Sequence, residues 1–253
     1  MEIRILGCYG GADDEHRLTS FLVDGTIAID AGALTVALTL EEQLAVNDVY
    51  ISHSHLDHTS TLPFLADNIY GMREEPLRVH AHAQLLEEVH VNLFNDIIWP
   101  DFSQLPSAAE PTLVFVETPV GKPFRIGHLD LRALWVDHVV PTTGLIVTEG
   151  GRSWVYSSDT GDTDRIWDEV NKLDDPRLLF LECSYPERLS ELADASKHLT
   201  TAGVARQLSK IYREIPTRIY HAKPVYLEEI EAEIARIDHP DLRLLRQDEI
   251  FIV

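Results

Sequence analysis

Four potential metal ligands fall within six residues at His53-Ser54-His55-Leu56-Asp57-His58. Three imidazoles and a carboxylate supply neutral nitrogen and anionic oxygen donors, a set that suits zinc, iron or manganese. No cysteine lies near them, which argues against a closed structural zinc site built on thiolates. The competing reading is a histidine-rich surface turn, but neither a packed core nor a solvated surface ordinarily collects so many donors in so short a stretch.

The flanking residues say how these donors are held. Asp48-Val49-Tyr50-Ile51-Ser52 carries β-branched and aromatic residues and reads as a strand. If the chain stays extended beyond it, His53 and His55 point to the same side and share one ion. Residues 59–72 read as a helix, with Pro63 in its first turn and Leu62, Leu65, Ile69 and Met72 as its apolar stripe. Asp57 and His58 therefore sit where strand gives way to helix.

This stretch resembles the HxHxDH signature of the metallo-β-lactamase-fold hydrolases. The resemblance implies an α/β architecture, a four-layered αβ/βα sandwich, with two divalent transition-metal ions at its edge: zinc first, manganese or iron as alternatives. It also requires an Asp before the signature and a His, an Asp and a His after it. Ser20–Val23 and Thr26–Asp30 flank the hairpin pair Asp24-Gly25, and the second strand ends in Asp30-Ala31-Gly32. Asp30 matches the family's supporting Asp, although by itself it reads equally well as a turn residue. His138 follows the alternating strand 129–137, Asp159 ends the strand at 154–157, and His221 follows Arg218-Ile219-Tyr220. By resemblance, His53, His55, His138 and Asp159 hold one ion and Asp57, His58, Asp159 and His221 the other, with Asp159 bridging. The match covers essentially the whole chain, read as one domain over residues 1–253.

Two further segments resemble the phosphodiesterase branches of that family. Leu179-Phe180-Leu181-Glu182 ends a strand in a Glu, and His198-Leu199-Thr200 opens a helix. Ribonuclease Z and the class II cyclic-nucleotide phosphodiesterases share this pair, and ribonuclease Z adds a basic, Gly-rich arm that this chain lacks. The resemblance thus implies hydrolysis of small phosphodiesters, first of all 3′,5′-cyclic nucleotides such as cyclic AMP to AMP. It assigns attack to a metal-bridging hydroxide, with Asp57 among the catalytic residues, His198 as general acid and Glu182 orienting it. Hydrolysis of another small ester, lactone or thioester, or a ribonuclease Z-like activity, is the alternative; a non-hydrolytic redox member is disfavoured because such members usually lose a ligand.

Composition bounds the rest. The chain has 253 residues, 45% hydrophobic and 25% charged, enough for a sizeable core. A formal net charge of -21 disfavours nucleic acid as a partner, because that affinity draws on clustered Lys and Arg. A small-molecule substrate fits better, since bound metal ions reverse the local field. No apolar run is long enough to span a bilayer and no signal sequence precedes the first strand, so a cytoplasmic protein is expected, with a homodimer left open. Cys8 and Cys183 are expected as reduced, buried thiols. His80 and His82 form a second H-x-H, read as strand histidines because no acid follows. The segment Phe94 to Phe102 reads equally as a pocket cover, through Trp99 and Phe102, or as ordinary packing.

Overall fold

The computed structural model describes all 253 residues. Two seven-stranded sheets carry the architecture. Across the first run Ile250–Ile252, Glu2–Gly7, Ser20–Val23, Ile27–Ile29, Asp48–Tyr50, Leu77–Ala81 and Leu113–Glu117. Across the second run Leu242–Leu244, Thr217–Tyr220, Asp175–Glu182, Arg152–Tyr156, Thr142–Glu149, Leu129–Val136 and Pro123–Ile126. Each sheet is half antiparallel and half parallel: Ile27–Ile29 through Leu113–Glu117 run parallel in the first, Arg152–Tyr156 through Leu242–Leu244 in the second.

Period-two alternation decides which face each residue serves. Ile3, Ile5, Phe21, Val23, Ile29 and Tyr50 of one sheet pack with Leu131, Leu145, Val147, Trp154, Tyr156 and Phe180 of the other in a single buried cluster. Their neighbours Leu6, Leu22, Ala28 and Val49 turn outward, onto a cluster with Leu62, Leu65 and Ile69 of helix Leu62–Ile69 and Leu85 and Val89 of helix Ala83–Asn92. On the opposite side Ile146, Val155, Leu179 and Leu181 meet Ile166 and Trp167 of Arg165–Val170, Val204 of Thr201–Ser209 and Ile230 of Leu227–Ile234. Helix, sheet, sheet and helix layers follow in order, a four-layered αβ/βα sandwich as expected. No helix is long and apolar enough to cross a membrane.

Several expected boundaries move. The helix expected over 59–72 is two, Leu56–Thr59 and Leu62–Ile69. Thr61 interrupts it by donating its hydroxyl to the Ala31 carbonyl and accepting the Leu34 N–H, contacts from a distant segment. Pro63 does lie in the first turn of the second helix. Met72 is exposed rather than part of the stripe, because the helix has ended and Gly71 turns the chain at φ 67°. The Asp24-Gly25 hairpin forms with both residues at positive φ, and the Thr26 N–H closes the turn on the Val23 carbonyl at 3.1 Å. Phe94 and Phe102 are buried in the outer cluster of the first sheet, and Trp99 packs on it with its ring 5.0 Å from Phe64. These three aromatic side chains thus serve the packing of the sheet's outer face. Cys8 and Cys183 are free, buried thiols, and burial pushes both thiol pKa values up.

Candidate metal centre

One edge of the sandwich collects the chain's donors because the strands that deliver them all end there. Asp30 follows Ile27–Ile29, His53 follows Asp48–Tyr50, Asp159 follows Arg152–Tyr156, Glu182 ends Asp175–Glu182 and His221 follows Thr217–Tyr220. These are parallel strands, and the crevice beyond their carboxyl ends is where open α/β sheets bind ligands. His138 arrives from Leu129–Val136, which is two antiparallel pairings away from Arg152–Tyr156 and so points the same way.

Donor atoms of His53, His55, His138 and Asp159 lie within 4.8 Å of one another, as do those of Asp57, His58, Asp159 and His221. Within these sets His53 Nε2 stands 3.6 Å from Asp159 Oδ2, His58 Nε2 3.4 Å from Asp159 Oδ1, and His221 Nε2 3.1 Å from Asp159 Oδ2. His138 Nε2 is 3.2 Å from His55 Nδ1, and His221 Nε2 3.1 Å from Asp57 Oδ2. Ligands sharing one zinc ion at ordinary zinc distances stand roughly 3 to 4 Å apart, and these five donor pairs fall in that range. Moreover His53 Nε2, His58 Nε2 and both Asp159 carboxylate oxygens are buried without a hydrogen-bond partner. Such orphaned polar atoms are expensive unless something else satisfies them, and divalent cations fit this donor set.

The charge balance of the pocket follows from burial and neighbours. Burial lowers the pKa of His53, His55 and His138, which favours the neutral imidazole that coordinates a metal. Burial alone would lower His58 as well, but the Asp159 and Asp30 carboxylates outweigh it and raise its pKa well above the ordinary value. Burial disfavours charged Asp57 and Asp159, yet His221 and His58 hold both carboxyls well below the usual range.

A ring of supports fixes the ligands. Asp30 is fully buried; its carboxylate accepts from the Ser52 N–H and hydroxyl at 2.8 Å each and from the Tyr156 hydroxyl at 2.6 Å, and pairs with His58 Nδ1 at 2.7 Å. It thereby orients His58, as partners behind a metal-binding histidine do. Ser184 Oγ lies 2.8 Å from His221 Nδ1, and the Lys197 carbonyl 3.0 Å from His138 Nδ1. Gly10 makes room for His221: a Cβ there would stand 2.7 Å from the imidazole Nδ1. Asp30, Ser158, Lys197 and His221 adopt left-handed backbone at φ 58, 55, 52 and 68°, four of the seven non-glycine residues at positive φ.

Glu182 and His198, sixteen residues apart, meet beside the ligands. His198 Nδ1 lies 2.9 Å from Glu182 Oε1, and its ring centroid is 5.0 Å from His138 and 5.2 Å from His221. The same oxygen accepts the Thr160 N–H at 3.0 Å. Burial would lower the His198 pKa, but Glu182 overrides it and raises it. The structure thus brings together every residue expected at the site. Ser52, Tyr156, Ser184, Gly10 and Lys197 were not foreseen; only the run of small residues Gly10-Gly11 carried any signal, as space kept beside something bulky.

The profile of the Beta-lactamase superfamily domain matches residues 20–220. Over 282 residues the chain is 24% identical to a "Probable 3',5'-cyclic-nucleotide phosphodiesterase" of Yersinia pestis, covering 89% of this chain and 79% of that one. Among solved structures, unliganded yeast PDE1 superposes with a TM-score of 0.83 at 18% identity, over 100% of this chain and 99% of that one. Human tRNase Z, short form, superposes with a TM-score of 0.73 at 16% identity, over 100% and 99%. At these identities the structural likeness speaks to the fold.

Proposed function

We propose, for a chain that belongs to the β-lactamase superfamily and is a metal-dependent hydrolase of the metallo-β-lactamase fold, that its substrates are small phosphodiesters, first of all 3′,5′-cyclic nucleotides. The observation that carries this reading is the Glu182–His198 pair, 2.9 Å apart and packed against His138 and His221. Thioester cleavage, which releases a weakly basic thiolate, has less need of a proton donor there, whereas a ribose alkoxide is a poor leaving group. The resemblance to a protein named probable 3′,5′-cyclic-nucleotide phosphodiesterase points the same way.

His53, His55, His138 and Asp159 would hold one ion and Asp57, His58, Asp159 and His221 a second, with zinc favoured by the nitrogen-rich donor set. Bound there, two divalent ions supply Lewis acidity to the phosphoryl oxygens and lower the pKa of an attacking water. The chain's own residues do the remainder. Asp57, partly exposed and kept ionised by His221 and His58, can accept a hydrogen bond from that water. Glu182 fixes the His198 ring through Nδ1, which leaves Nε2–H as the donor, and its carboxylate overrides burial to raise the ring's pKa, which favours the imidazolium. Proton transfer from Nε2 to the departing ribose oxygen then completes P–O cleavage. The net charge of -21 supports a small substrate over tRNA despite the likeness to tRNase Z.

A panel of cyclic and linear diesters, run on metal-analysed protein, tests the proposal. Cyclic AMP should yield AMP, and bis(p-nitrophenyl) phosphate should turn over. Fast thioester or lactone cleavage with inert diesters would assign the chain to a different class of ester hydrolysis.

A further inference from the structure

Helix Ser190–Ser196 ends on Lys197, whose φ and ψ of 52° and 53° place a lysine in the left-handed region that glycine usually occupies. The His198 N–H returns to the Ala193 carbonyl at 2.9 Å and closes the cap. Two groups of this one residue reach the loop that delivers His138. The Lys197 carbonyl accepts from His138 Nδ1 at 3.0 Å, and its ammonium pairs with the Asp137 carboxylate at 2.6 Å. That loop is also tied to the segment bearing Asp159, since the Asp137 carbonyl accepts the Gly161 N–H at 2.6 Å and its N–H donates to Thr160 Oγ1 at 3.1 Å. The next residue in the chain is His198, held by Glu182.

We propose that Lys197 is a positioning residue whose left-handed backbone sets the placement of His138 and of His198 together. With the backbone left-handed at this residue, its carbonyl faces His138 while the following side chain faces Glu182. A glycine would close the cap with less strain; the lysine adds the ammonium that clips Asp137. The proposal rests on the reading of His198 as general acid for one of its two arms.

Lys197→Gly and Lys197→Val, made in the full-length protein, separate the arms. Glycine keeps the left-handed backbone and should leave zinc affinity, measured by competition with a chelator, within about threefold of wild type. Valine is driven out of that region, so zinc affinity should fall about tenfold or more, as for loss of an acceptor behind a ligand histidine. Across aryl phosphodiesters whose phenols span pKa values of roughly 7 to 10, valine should also steepen the dependence on leaving group toward that of His198→Ala. If the valine protein does not fold, Lys197→Thr meets the same β-branched penalty in that region with a polar side chain and takes its place. Valine with wild-type zinc affinity, a change in affinity without a change in leaving-group dependence, or glycine as damaging as valine would each overturn the proposal. A His198→Ala protein with unaltered leaving-group dependence would remove the acid reading and the arm that rests on it, while the zinc measurement would still decide whether Lys197 holds His138.

Discussion

Two H-x-H pairs follow neighbouring parallel strands of the first sheet, and the structure uses them in opposite ways. His53 and His55 lie beyond Asp48–Tyr50; His80 and His82 close Leu77–Ala81, with His80 in register with Tyr50. His80 Nε2 is taken by Asp48 at 2.7 Å, and His82 Nδ1 caps helix Ala83–Asn92 by accepting the Leu85 N–H at 3.3 Å. His80 Nδ1 alone is left over, with nothing convergent on it. At the other pair, orphaned nitrogens of His53 and His58 and both oxygens of Asp159 converge on the same volume. Spacing along the chain does not make a metal site; unsatisfied donors from several strand ends aimed at one place do.

Substitution at the two pairs should break them apart most visibly. His53→Ala should reduce phosphodiester hydrolysis more than about 100-fold, beyond what loss of a group behind a ligand does. His80→Ala should leave kcat/KM within about threefold, as steady-state kinetics on bis(p-nitrophenyl) phosphate would show, because its partner is structural. His198→Ala probes the edge of the centre: cyclic nucleotide hydrolysis should fall roughly 10² to 10⁴-fold, and the p-nitrophenyl diester far less, because p-nitrophenolate leaves without a proton. Equal losses on both substrates, at unchanged metal content, would reduce His198 to a structural residue.

Behind the ligands the expected effects shrink. Asp30→Asn loses the charge that orients His58 and leaves one oxygen to serve four donors, so metal affinity should fall about 10 to 100-fold in a chelator titration. At the other pair, burial would raise the Asp48 carboxyl, but His80 and Arg78 hold it down to about 2 against an ordinary 3.8. A carboxyl depressed in the fold stabilises it above the unfolded value and loses that contribution as pH falls through the folded one. The melting temperature of metal-free protein should therefore drop between about pH 4 and pH 2, and Asp48→Asn should flatten that drop.

The difference between the pairs was partly legible in the amino-acid order. His53 through His58 is one contiguous stretch, so its donors announce themselves, and the strand ends before Asp159 and His221 show in the alternation of Trp154–Tyr156 and Arg218–Tyr220. What could not be read is whatever depends on a partner from elsewhere in the chain. Tyr156 reaches Asp30 across 126 positions and Ser184 reaches His221 across 37, neither in a local pattern. Thr61 breaks a helix that its own neighbours would continue, because Ala31 and Leu34 claim its hydroxyl. Trp99 and Phe102 carry no periodic signal either, and their packing against Phe64 and the first sheet's outer face depends on residues distant in the chain.

The most direct test is a count of ions. Protein equilibrated with zinc and then freed of excess should carry about two per chain in the wild type and in His80→Ala, and substantially fewer in His53→Ala and Asp159→Ala. Wild-type protein that retains no transition metal, or a His80→Ala protein that loses as much as His53→Ala, would contradict the account.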